Sequence, residues 1–142
     1  MAGAPVDALE RVPLFAGLES ADIEKIARLF KERRFPQGET IVREGSGGAA
    51  FFLIESGEAI VSVGGVERTT LRSGDYFGEI ALIDEGTRSA TITATTDLVC
   101  FGLTHWDFGP LVRENGQIGW QLLQSMAQKL RAAEQGARPS EE

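Results

Sequence analysis

The sequence is poor in the residues from which most enzyme and metal sites are built. Its 142 residues include one cysteine, Cys100, and one histidine, His105. A lone cysteine excludes an internal disulfide, and the apolar stretch 98–103 around it predicts a buried thiol that behaves as a small hydrophobe. A single histidine cannot supply the cluster of imidazoles and carboxylates that a metalloenzyme requires. No Ser, Cys or Lys nucleophile has a recognisable base partner either. His105 reads as a capping or packing residue at a helix start, and neither a metal site, a cofactor nor an enzymatic activity is expected. Long apolar runs are also missing: none approaches the roughly 18 residues of a membrane span. The N-terminus, MAGAPVDALERVPLF, has no basic segment followed by an uninterrupted apolar stretch, so it does not read as a secretory signal and the cytoplasm is the expected default location. Positive charge is scarce as well, with 14 Lys and Arg against 21 Asp and Glu and a net charge of −7. Nucleic-acid backbones are bound largely through Lys and Arg, so direct nucleic-acid binding is not expected. An acidic chain that binds a small anion must do so with one or two local charges and oriented backbone dipoles.

What is present suits one globular domain, with 42% apolar and 25% charged residues. The expected organisation is a single domain over 1–135 with a disordered tail over 136–142, whose residues are too small and polar to dock. N-terminal helices are expected within 6–32. Val6 to Arg11 is a short helix, Val12-Pro13-Leu14-Phe15 breaks it, and Ser20 caps a second helix that ends near Lys31. Ile23, Ile26, Ala27, Leu29 and Phe30 recur there at helical spacing, with Asp22 and Glu24 in the first turn. Over 33–103 the pattern changes to short β-branched and aromatic segments divided by glycines, which predicts strands at 40–43, 50–55, 58–63, 66–71, 90–95 and 98–103. Gly64-Gly65 reads as a two-residue hairpin loop, whose type I′ turn needs positive φ at both positions. Strands this short with no intervening helices favour an antiparallel β-roll closed on itself over a parallel sheet. Gly45, Gly47, Gly48, Gly57 and Gly74 read as its turn glycines. C-terminal helices are expected over 104–135, with Thr104 as the N-cap of a short helix to Val112 and a longer helix from Gln117 to Gln135. On the longer one, Leu123, Met126, Leu130 and Ala133 form an apolar seam, open to packing on the roll or to a dimer.

The stretch with chemical content is 77–91. Gly78 lets backbone approach a ligand without a Cβ in the way, and Ile80 to Ile83 can form one helical turn whose first N–H groups are unpaired, an anion site without net charge. Arg88, ten residues after Gly78, brings a full charge and a fork of donors suited to two phosphate oxygens. Its alternative is a surface ion pair with Asp84 or Glu85. Glu79 is out of place beside a phosphate unless it accepts from a hydroxyl of the same ligand, as a ribose offers; its alternative is a helix-start carboxylate favoured by the dipole. Phosphate and sugar hydroxyl close together describe a cyclic nucleotide.

Gly78-Glu79-Ile80-Ala81-Leu82, five residues, then Arg88-Ser89-Ala90-Thr91 resembles the phosphate-binding cassette of cyclic-nucleotide-binding domains, the family of the catabolite activator proteins, the regulatory subunits of cAMP-dependent protein kinase and cyclic-nucleotide-gated channels. Val12-Pro13-Leu14-Phe15, Phe35-Pro36-Gln37-Gly38-Glu39 and Phe51-Phe52-Leu53-Ile54-Glu55-Ser56-Gly57 resemble further segments of that family, so the likeness covers nearly the whole chain. It implies a mainly β fold with flanking helices, a jelly-roll-like double-stranded β-helix with N-terminal helices and a C-terminal lid helix. It implies a ligand, cAMP or cGMP, held by Gly78, Glu79, Ile80, Ala81, Arg88, Ser89 and Ala90. In these roles Glu79 accepts from the ribose 2′-hydroxyl, Arg88 pairs with the cyclic phosphate, and backbone groups complete the cradle. Val61, Val63, Thr69 and Leu71 would pack base and sugar, and Lys129, Leu130, Ala133 and Glu134 are the lid residues. Ala133 and Glu134 stand where catabolite activators place hydroxyl side chains for adenine, and Ser89 does not decide the base. The implied function is a regulatory sensor that signals through movement of the last helix; the alternative is an interaction module that has kept the roll without nucleotide binding. Its protein partner would be a second copy through the C-terminal helix or a separate effector.

Overall fold

The computed structural model describes residues 3–48, 50–84 and 86–136. Two short helices, α1 (Val6–Glu10) and α2 (Ser20–Ala27), lead into eight strands. These are β1 (Lys31–Phe35), β2 (Thr40–Val42), β3 (Ala50–Ser56), β4 (Ala59–Val63), β5 (Val66–Leu71), β6 (Tyr76–Phe77), β7 (Thr91–Ala94) and β8 (Leu98–Thr104). A 3-10 turn, Glu79–Leu82, interrupts them after β6, and α3 (His105–Glu114) and α4 (Gly116–Gly136) close the chain. The strands form two antiparallel four-stranded sheets in the orders β1-β8-β3-β6 and β2-β7-β4-β5, a mainly β roll flanked by helices.

Both faces of β3 are covered, which is why its apolar run does not alternate with polar residues. Phe51 and Leu53 join a cluster with Phe15, Phe30, Phe108, Ile118 and Leu122, where the helices lie on the first sheet. Phe52 and Ile54 point the other way, into the inter-sheet core with Phe35, Ile92 and the fully buried Cys100. Phe51 is the hub of the first cluster, meeting Phe15, Phe30 and Tyr76 edge to face at centroid distances of 6.0, 5.7 and 5.9 Å. The Gly64-Gly65 hairpin forms as expected, with φ of 59° and 82°. Thr104 caps α3, its hydroxyl accepting from the Asp107 N–H at 3.2 Å.

Several boundaries differ from the sequence-based expectation. Ser20 is the first residue of α2 and not its cap: Glu19 occupies that position, and no side chain accepts there. The helix stops at Ala27, short of Lys31, because the Ala27 carbonyl accepts from the Ala4 N–H at 3.1 Å and the chain turns Phe30 into the core. The next residues, Lys31-Glu32-Arg33-Arg34-Phe35, pair with β8 as an edge strand, so the roll begins before residue 33. Strand β6, two residues long, was likewise not expected, and it carries the chain from the sheet to the 3-10 turn. The long helix extends through Gly136, while the rest of the expected tail, 137–142, lies outside the described residues. Its buried positions are Ile118 and Leu122. The seam is divided: Met126 packs against the helix-facing core, while Leu123 and Leu130 are each 62% exposed.

Candidate functional site

The 3-10 turn begins where β6 leaves the sheet. Gly78, its cap, holds φ +86°, and a Cβ there would lie 2.6 Å from the Ala50 carbonyl oxygen. Only glycine fits that conformation so close to a neighbouring backbone. The Ala81 N–H donates back to the Gly78 carbonyl at 3.0 Å. This corrects one expectation: the Ala81 amide is engaged within the turn, and the amides ahead of its first hydrogen bond belong to Glu79 and Ile80.

Arg88 enters from the other side, held at both its main chain and its guanidinium. Its N–H donates to the Ser46 carbonyl at 2.8 Å and its carbonyl accepts from the Gly45 N–H at 2.8 Å. Thr87 forms a bridge with Gly47, and the Thr91 hydroxyl accepts from the Glu44 N–H at 2.9 Å. The loop between β2 and β3 thus fixes the backbone that carries the arginine. At the far end of the side chain Nη2 donates to the Ala50 carbonyl at 2.6 Å, while Nε is buried without a partner. Burial pushes the guanidinium below its ordinary pKa; it remains a cation at any physiological pH. Among the described residues no carboxylate, Asp84 included, lies within ion-pairing distance of Arg88; the other expected alternative, Glu85, lies outside the described residues.

Gly48 belongs to this site and not only to a turn. A Cβ on Gly48 would stand 2.6 Å from the Arg88 Cζ and 2.7 Å from its Cδ, and nearer still to Nε. The side chain lies across the space that any other residue would fill. Gly47, one residue earlier, has nothing within 4 Å of its own Cβ position.

Arg88 and the turn border a cavity of about 520 Å³, within the range of small-molecule sites. Gly78, Glu79, Ile80, Ala81, Arg88, Ser89 and Ala90 all line it, together with Val61 and Leu71. Val42 and Ile92, which the sequence did not single out, complete the apolar wall, and Tyr76, Asp84 and Thr87 add polar groups. Burial first, then the carboxylates of Glu79 and Asp75, push the Tyr76 phenol above its ordinary pKa. Val63 and Thr69 are not brought to the cavity. Val63 lies at the hairpin tip, beyond the β4–β5 register slip between Val61 and Ser62, and Thr69 lies on β5, the outer strand of its sheet. Nor do Lys129, Leu130, Ala133 and Glu134 line it. Helix α4 is anchored by Ile118 and Leu122 and by the Ser125 hydroxyl, which donates to the Pro13 carbonyl at 3.1 Å, so it runs beside the N-terminal segment and not across the cavity mouth.

Residues 32–115 match the family model of the cyclic nucleotide-binding domain. The chain belongs to this family. The domain is 38% identical over 93% of its length to a cAMP-dependent protein kinase regulatory subunit of Aspergillus fumigatus, and 35% identical over 86% to the cyclic AMP receptor protein of Thermus thermophilus. It spans 30% of the first relative and 59% of the second. In solved structures its fold is similar to the N-terminal domain of a transcriptional regulator from Streptomyces coelicolor A3(2), with a TM-score of 0.82, 26% identity, and 89% and 94% of the two chains covered. Among the described residues of the domain no group of three or more His, Cys, Asp or Glu could hold a metal ion, and no helix is long and apolar enough to cross a membrane.

Proposed function

We propose that this domain binds a cyclic nucleotide, cAMP before cGMP, and serves as a regulatory module rather than a catalyst. The observation that carries the proposal is Arg88: a cation without an ion-pair partner among the described residues, partly buried, aimed at a cavity and held by Gly48, Gly78 and the Ala50 carbonyl. A group so placed suits an anion that brings its own negative charge. The cyclic phosphate meets Arg88 and the amides at the start of the 3-10 turn, and Glu79 accepts from the ribose hydroxyl. Val42, Val61, Leu71 and Ile92 form the apolar wall for sugar and base. The names of the two relatives support cAMP over cGMP, and Ser89 leaves the two to be compared directly.

The signal is a population shift of the C-terminal helices. Ligand favours an arrangement of α4 over the cavity only insofar as it binds that arrangement better. Lys129, Leu130, Ala133 and Glu134 would reach the base in it. The exposed Leu123 is left for the output partner, whether a second copy or an effector protein.

Isothermal titration with cAMP, cGMP and 5′-AMP tests the proposal. Binding of a cyclic nucleotide is expected, and no binding of either at millimolar concentration would overturn it in favour of an interaction module. Arg88→Ala should weaken binding by about 2 to 5 kcal/mol, tens- to thousands-fold, as when one member of a buried charge pair is removed. Unchanged affinity in a folded variant would refute the phosphate assignment.

A further inference from the structure

We propose that His105 is the positioning residue through which the ligand-lining 3-10 turn moves the C-terminal helices, an inference that rests on the nucleotide-binding reading above. His105 is the only histidine of the chain and the first residue of α3. Its Nδ1 lies 2.8 Å from the Leu82 carbonyl oxygen. A carbonyl only accepts, so Nδ1 carries the hydrogen and donates.

The turn that ends at Leu82 is a short, stiff element. The Ala81 and Ile83 amides bond back to Gly78 and Ile80, each at 3.0 Å, and four residues of 3-10 helix reach only about 6 Å. Glu79 at one end lines the nucleotide cavity. Leu82 at the other is 1% exposed and packs in the cluster with Phe108, Ile118 and Leu122 of the two C-terminal helices. Among the described residues, the His105 bond is the one side-chain hydrogen bond joining the turn to either helix.

Beyond Leu82 the contact with α4 is open. A groove of about 390 Å³ lies there, lined by Ile83, just after the turn, and by Leu123 and Met126 of α4. Ile83 is 49% exposed. Packing of the turn on α4 is therefore confined to Leu82, and the directional tie, a hydrogen bond, leads through His105 to α3. From α3 it reaches α4 across one residue, Asn115, whose carbonyl accepts from the Ile118 N–H at 3.0 Å and whose side chain donates to the Leu111 carbonyl at 2.7 Å. A displacement of the turn by ligand is carried along this line, whereas loss of the bond leaves the cavity itself intact.

Hydrogen–deuterium exchange of residues 116–136, with and without saturating cAMP, reads the coupling, and titration of the same samples reads binding. His105→Leu removes the donor; His105→Asn restores one, because the asparagine amide nitrogen sits where Nδ1 was. In His105→Leu, cAMP affinity should stay within about fivefold of the unsubstituted domain while the α4 exchange response falls at least threefold, and His105→Asn should recover it. A full α4 response in His105→Leu overturns the inference, as does failure of His105→Asn to recover. If His105→Leu does not fold, His105→Gln, whose donor lies one bond further out, takes its place with the same expected loss. Failure of the unsubstituted domain to bind either nucleotide would instead sink the reading beneath it, so the two failures are distinguishable.

Discussion

Gly48→Ala is the sharpest test of how the site is assembled, because it adds one methyl group and touches no ligand. The new Cβ would lie 2.6 Å from the Arg88 Cζ, where ordinary contact begins at 3.4 Å, so the guanidinium must retreat by at least 0.8 Å. Its Nη2 bond to Ala50, 2.6 Å long, is then stretched or lost, and the charge is displaced from its place in the cavity wall. The charge itself remains, so the loss is one charge-assisted hydrogen bond, about 1.5 to 3 kcal/mol, or roughly ten- to 150-fold in the dissociation constant. Gly48 lies outside the positive-φ region, so alanine adds no backbone strain, and the melting temperature should fall only by the few degrees that the weakened Nη2–Ala50 bond accounts for. Isothermal titration with cAMP reads the effect, with Gly47→Ala as control, since a methyl there meets nothing within 4 Å. Gly48→Val should lose more than Gly48→Ala. Affinity within twofold of the unsubstituted domain for both Gly48 variants would refute the reasoning.

The remaining predictions concern stability. Phe51→Ala empties the hub of the helix-facing core and should cost about 3 to 5 kcal/mol in chemical denaturation; a loss below 1 kcal/mol would contradict the packing described. Thr104→Ala removes the α3 cap and should cost about 1 kcal/mol by the same assay. Burial pushes the Cys100 thiol from 9.0 up to about 12. Between those values the unfolded chain gives up the proton and the folded one keeps it, so this group's contribution to stability declines as pH rises from 9 towards 12. Cys100→Ala should therefore lose less stability than the unsubstituted domain between pH 8 and about 10.5, measured by urea midpoints, and equal losses would count against the buried thiol.

Most of the roll is legible along the chain because its signals are local. β5 forms at Val66–Leu71 because β-branched residues and a glycine pair mark it without reference to anything distant. Gly78, Glu79 and Arg88 are legible for a related reason, since the turn and the arginine sit ten residues apart on one continuous segment. β1 is not legible: four consecutive charges, Lys31 to Arg34, show neither apolar alternation nor β-propensity. They form a strand because β8 offers them hydrogen-bonding partners and Phe35 anchors the end, while charge on the open edge discourages further pairing. Gly48 is hidden for another reason, as a glycine that turns the chain and one that makes room for a side chain forty residues away look identical in sequence. The apolar stripe of α4 is visible as a period of about 3.6, but a period does not say which neighbour a face meets.

The pairing of β1 with β8 joins Lys31 to Gly102, and the loop that holds Arg88 joins Gly45 to it across a shorter but still non-local gap in the chain. Closures of that span are slow relative to a hairpin such as β4–β5, so the roll is expected to fold on the millisecond-to-second scale of non-local β topologies. Arg88 acquires its partners only when the β2–β3 loop meets β7. A nucleotide bound there recognises the completed roll and not its precursors, so it would lengthen the lifetime of the folded domain without hastening its formation.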